Sequence, residues 1–133
     1  MTQKTILVIE DETTWQKLYK RALSEAGFQV HIAAACMDGI KLAKSLKPDC
    51  IVSDFHLPDG DAVSVCSAIH SDESIKRTPI IICSSDPEAE IAAFAECKAA
   101  DFKLKGVSAL MELPATIERL LATNTKKREP KLC

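Results

Sequence analysis

The chain has 133 residues. No apolar run in it approaches the roughly 20 residues needed to span a bilayer, so membrane insertion is not expected. Six cysteines stand at positions 36, 50, 66, 83, 97 and 133, and no two of them form a C-x-x-C pair. Cys50 and Cys83 lie inside apolar runs, where a thiol behaves as a small hydrophobe. Free thiols and a reducing cytoplasm are the expectation. Residues 1–5 do not read as a secretory leader. An excess of charge of one sign is also missing: the formal net charge is −2. Within it, residues 126–133 hold +3 and the first 125 hold −5. An acidic body argues against direct nucleic-acid binding, which rests on neutralising phosphates. Lys126, Lys127, Arg128 and Lys131 read as part of a short basic, solvated tail over residues 124–133.

What is present is ordinary for a soluble domain: 47% apolar and 27% charged residues. The length suits one domain with one core, over residues 1–123. Short apolar runs at 6–9, 30–34, 50–53, 80–83 and 102–104 read as strands. Amphipathic stretches separate them. Trp15, Leu18, Tyr19, Ala22, Leu23 and Ala26 recur at helical spacing and end at Gly27. Ile40, Ala43 and Leu46 mark a second helix closed by Pro48. Val63, Cys66 and Ile69 mark a third, and Ile91, Phe94 and Ala95 a fourth. Ile117, Leu120 and Leu121 mark the last. Pro114 would disrupt the interior of that helix, so the helix either kinks there or, the reading the pattern favours, starts near Leu113 after a separate turn. Five β-α units with continuous apolar strands imply a parallel sheet covered on both faces. Right-handed crossovers make it a doubly wound (βα)5 sandwich.

In such a sheet, ligands gather beyond the carboxyl ends of the strands. Glu10, Asp11 and Glu12 follow the first run, Asp54 the third, Ser84 and Ser85 the fourth, and Lys105 the fifth. Each alone has a plain reading: a helix-terminal charge, a turn former, a cap, a surface lysine. Together they are delivered to one edge. Clustered carboxylates repel and shift one another's pKa upward, and a hard divalent cation such as Mg²⁺ relieves the repulsion through oxygen ligands. Asp11 and Asp54 are the candidate direct ligands, with Glu10 acting through water. Lys105 adds fixed positive charge and Ser84 a hydroxyl. Such a pocket suits a phosphoryl group carried on a carboxylate, with Asp54 as the nucleophile.

The segments "ILVIEDE", "SDFHLPDGD", "PIIICSS" and "ADFKLK" together resemble the receiver domain of two-component response regulators, over about residues 4–122. The resemblance implies a flavodoxin-like fold with strand order 2-1-3-4-5. It implies that Asp54 accepts a phosphoryl group from a sensor histidine kinase or a histidine phosphotransfer protein. Asp11, Asp54 and the backbone carbonyl of His56 would hold Mg²⁺. Ser84 matches the switch hydroxyl, Phe102 the switch aromatic and Lys105 the phosphate-contacting lysine. A downstream protein target would read the surface formed by the fourth helix, fifth strand and fifth helix. The chain departs from the family at Gly106, where a proline joined by a cis bond is usual, and at Ala62, where glycine is usual. His56 and Asp86 flank the pocket mouth as candidate controllers of phosphoaspartate hydrolysis.

Three other readings share the fold. A flavin-binding protein needs a Ser/Thr/Gly-rich phosphate loop where this chain has Glu-Asp-Glu. An aspartate-nucleophile phosphatase wants a second acid two residues after the nucleophile, and that position is His56. A phosphorylation-independent pseudo-receiver scaffold is the serious alternative, although no essential pocket residue is missing.

Overall fold

The computed structural model describes residues 3–128, with side chains described as far as residue 123. Five strands form one parallel sheet: β1 (Thr5–Ile9), β2 (Gln29–Ala33), β3 (Cys50–Ser53), β6 (Ile80–Ser84) and β7 (Asp101–Leu104). Their spatial order is β2-β1-β3-β6-β7, which is the expected 2-1-3-4-5 once the five are counted along the chain. A small antiparallel hairpin intervenes, formed by β4 (His56–Leu57) and β5 (Gly60–Asp61). Two-residue strands carry no readable periodicity, so no pattern marks this hairpin.

The helices are α1 (Thr13–Glu25), α2 (Cys36–Leu46), α3 (Ala62–His70), α4 (Ala89–Ala95) and α5 (Val107–Arg128). They cover both sheet faces. Leu7, Ile9, Ile51, Ile80 and Ile82 pack with α2, α3 and α4 on one side. Ile6, Val8, Val52 and Ile81 pack with α1 and α5 on the other. This explains the unbroken apolar strands, because alternate side chains enter different cores and none reaches water. Burying each such side chain is worth about 1.5–3 kcal/mol. Gly39 lets α2 lie close to the sheet: a Cβ there would meet Ile9 Cδ1 at 2.5 Å.

Two expectations are corrected. The last helix begins at Val107 and runs through Pro114. The lost hydrogen bond is tolerated because Leu110, Leu113, Ile117, Leu120 and Leu121 form one stripe against the α1 side of the sheet. Packing outweighs the propensity cost of about 3 kcal/mol. In α4, Ile91 and Phe94 do not mark the core: they are 79% and 45% exposed, while Ala89 and Ala93 are buried. Small residues let this short helix approach the sheet, so its larger apolar side chains point away.

No peptide bond among the described residues is cis, so the Lys105–Gly106 link is trans. Residues 124–128 of the expected tail continue the α5 backbone, and residues 129–133 lie outside the described residues. Cys36, Cys50, Cys66, Cys83 and Cys97 are free thiols and all are buried. Among the described residues no helix is long and apolar enough to cross a membrane.

Candidate functional site

The sheet ladder continues one residue beyond β1, β3 and β7 and so sets the site. Glu10 N–H donates to Ala33 O at 2.9 Å, Asp54 N–H to Ile9 O at 2.9 Å, and Lys105 N–H to Ser84 O at 2.9 Å. Strands β1, β3 and β7 thereby present an acid, an acid and a lysine at the same edge, with β6 between the last two. Lys105 Nζ donates to Asp54 Oδ2 at 2.8 Å and lies 2.6 Å from Glu10 Oε1. Glu12 Oε1 is 4.0 Å away from the same ammonium. The Lys105 side chain is 4% exposed and that of Glu10 0%. The close Glu10 contact is an ion pair rather than a directed hydrogen bond, and Oε1 has no other partner.

Two charges drawn out of water this far must compensate each other. Burial works against the Lys105 charge, but its contacts with the Asp54 and Glu10 carboxylates prevail and raise its pKa above the ordinary lysine value. Burial likewise raises Glu10 above the usual carboxylate range, with Lys105 and the Glu12 N–H opposing. That N–H donates to Glu10 Oε2 at 3.0 Å, and Gln16 Nε2 donates to Glu10 O at 2.7 Å. Glu10 is therefore held from three directions.

Carboxylate oxygens of Glu10, Asp11 and Asp54 all lie within 4.8 Å of one another. Asp11 is exposed, whereas Asp54 is buried and accepts the Phe55 N–H through Oδ1 at 2.7 Å. This is a hard-oxygen donor set with more negative than positive charge, and it fits a small divalent cation such as Mg²⁺.

Ser84 is buried, and its Oγ accepts the Asp86 N–H at 3.1 Å. Phe102 is half-buried at the edge of the α2/α3/α4 core. Exposed His56 reaches Asp86, with Nε2 2.9 Å from Oδ2. That contact, with the Glu88 N–H, holds the Asp86 carboxyl below its usual range.

The family model for the response regulator receiver domain matches residues 6–118. The chain belongs to that family. Among curated relatives, the receiver is similar to the transcriptional regulatory protein SrrA of Staphylococcus aureus. The two are 28% identical over 130 residues, which is 94% of this chain and 52% of that protein. The chain thus spans about half the length of the curated relatives it matches. A putative response regulator from Chloroflexus aurantiacus superposes with a TM-score of 0.82 at 26% identity, covering 91% of this chain and 99% of that one. The receiver domain of the sensor histidine kinase PA1611 from Pseudomonas aeruginosa, solved with a magnesium ion in its active-site cleft, shares the fold. Its TM-score is 0.80 at 24% identity over 91% and 99% of the two chains.

The receiver's structure brings Glu10, Asp11, Asp54 and Lys105 together and links Ser84, Asp86 and His56 to one another through the Asp86 N–H and carboxylate. Sequence reasoning missed two features of the site. Trp15 was read only as a core residue, yet Lys105 Nζ sits 5.5 Å from its ring centroid. Asp59 has no place in the sequence reading above. Its signal was indirect: Ala35, which precedes α2, carries no side-chain oxygen to cap that helix.

Proposed function

We propose that this receiver accepts a phosphoryl group on Asp54 from the phosphohistidine of a sensor kinase or a histidine phosphotransfer protein, with Mg²⁺ bound, and passes the signal to a downstream protein. The observation that carries this reading is the Lys105 ammonium held 2.8 Å from Asp54 beside three clustered carboxylates. A structural lysine would need one acid, not this set. Asp11, Asp54 and the His56 carbonyl would hold Mg²⁺ directly and Glu10 through water. The ion would supply positive charge against the phosphoryl oxygens.

In the transfer, an Asp54 carboxylate oxygen forms the new P–O bond as the P–N bond of phosphohistidine breaks, and the imidazole nitrogen keeps the electron pair. Lys105 then offers its charge to the phosphoryl oxygens in place of the Asp54 carboxylate. The Ser84 hydroxyl, now an acceptor from Asp86 N–H, has its own proton to donate to the phosphoryl group. Its movement opens space for Phe102, which alters the surface of α4, β7 and α5 that the target reads. Such coupling is typically about 1–3 kcal/mol. The chemistry is confined to the chain's own Asp54.

The decisive experiment is incubation with acetyl phosphate and Mg²⁺, with incorporated phosphate read by intact mass. One phosphoryl group should appear in the native chain. Its absence there, together with no binding of beryllofluoride, would establish the pseudo-receiver scaffold instead. Ser84→Ala should take phosphate while leaving the NMR signals of Phe102 nearly unmoved. A full Phe102 response in that variant would break the proposed switch.

A further inference from the structure

We propose that Asp59 is a positioning residue for the metal: its carboxylate ties the loop that carries the His56 carbonyl to the amino terminus of α2. The inference rests on the Mg²⁺ site proposed above. The first N–H groups of a helix have no partner within it. In α2 the residue before the first turn, Ala35, makes no side-chain cap bond. Asp59, 23 residues away, supplies what is missing: Oδ1 accepts the Cys36 N–H at 2.7 Å and Oδ2 the Met37 N–H at 3.1 Å. These two bonds hold the carboxyl below its usual range, so it stays an anion facing the positive end of the helix.

Asp59 sits at the tip of the β4–β5 hairpin, in which His56 pairs with Asp61 and Leu57 with Gly60. Strands this short do not hold a geometry by themselves. The other end of the hairpin is fixed by Asp61, whose Oδ1 accepts the Val63 N–H at 2.9 Å and caps α3. The metal loop is therefore hung between two helix amino termini, one held by Asp59 and one by Asp61. Where the His56 carbonyl points depends on both. Releasing the Asp59 end leaves the three carboxylates in place and loosens only the carbonyl.

The test is a MgCl₂ titration of the full chain, followed by the fluorescence of its one tryptophan, Trp15, beside Lys105. It is run at a temperature where circular dichroism shows each variant folded. Asp59→Ala should weaken Mg²⁺ roughly tenfold, the lower range for losing a group that orients a metal ligand. Asp59→Asn keeps one acceptor oxygen and should fall between. Adding Ala35→Ser to Asp59→Ala gives α2 a local cap. That double variant should regain thermal stability but not Mg²⁺ affinity, and it stands in if the single variant does not fold. Affinity in Asp59→Ala within twofold of the native chain overturns the proposal. So does recovery of affinity in the double variant, which would make Asp59 a helix cap and nothing more. Either result leaves the proposed function standing, whereas no Mg²⁺ binding by the native chain removes both.

Discussion

The two edges of the sheet are made by the same strands and treat charge in opposite ways. At the amino edge, partners are private and near water. Asp49 accepts the Thr5 N–H through Oδ2 at 2.8 Å, and Asp49 N–H donates to Thr5 O at 2.8 Å. Nearby, Lys76 pairs with Glu73 at 2.8 Å, with both side chains exposed. At the carboxyl edge, one buried ammonium serves Glu10, Asp54 and, more distantly, Glu12. The first arrangement closes strands locally. The second leaves negative charge in excess and concentrates it where the chain has little solvent to screen it. The difference separates residues that hold the fold together from residues held by the fold against their own preference.

The sharpest way to break this contrast is Asp54→Asn, which keeps shape and removes the nucleophile. Phosphate incorporation from acetyl phosphate should vanish. Incorporation at the native rate would move the reaction elsewhere. Next comes Lys105→Met, which strands two buried acids. Removing one partner of a buried pair costs about 3–5 kcal/mol, measurable as a drop in the denaturation midpoint. The pH profile sharpens the point. The folded pKa of Lys105 is raised above its ordinary 10.5. Its stabilisation is therefore complete below about pH 10.5 and is lost as pH climbs through the folded value. The native chain should lose stability on that alkaline side more steeply than Lys105→Met. Equal slopes would show that the fold does not raise the Lys105 pKa.

A smaller effect is expected at the mouth of the pocket. His56 bridges to Asp86 at 2.9 Å, a contact that would hinder the approach of water to phosphoaspartate. His56→Gly should lose phosphate several-fold faster after the donor is removed, since about 1 kcal/mol off a barrier is roughly fivefold in rate. Equal or slower decay would mean that the bridge guards nothing. The smallest effect belongs to the amino edge. Glu73→Ala removes an exposed pair and should shift stability by less than about 1 kcal/mol. A larger loss there would erase the distinction between the edges.

Much of this was legible in the sequence because polarity changes abruptly where each strand ends. Asp54 follows an unbroken buried run, whereas Lys105 follows a half-buried edge strand that ends in exposed Leu104. That pattern alone brought the four elements of the site to one edge. What stayed hidden depends on contacts between distant segments. The Asp59 bond to α2 spans 23 residues and has no local pattern. The start of α5 was misplaced because Pro114 signals a break, and only its packing partners show why the helix continues. The misread face of α4 has a similar origin: a pattern of large apolar residues does not reveal that two alanines decide how close a helix can lie.

The buried thiols have a consequence of another kind. Cys36 opens α2, Cys50 opens β3, Cys66 lies in α3, Cys83 in β6, and Cys97 follows α4. A thiol reagent cannot reach any of them until the surrounding element lifts away from the sheet. With Cys133 replaced by serine, the labelling rate at each remaining cysteine becomes a stopwatch for the opening of its own segment. The chain thus carries, at five points, the means to measure which parts come apart first and whether phosphate at Asp54 slows them.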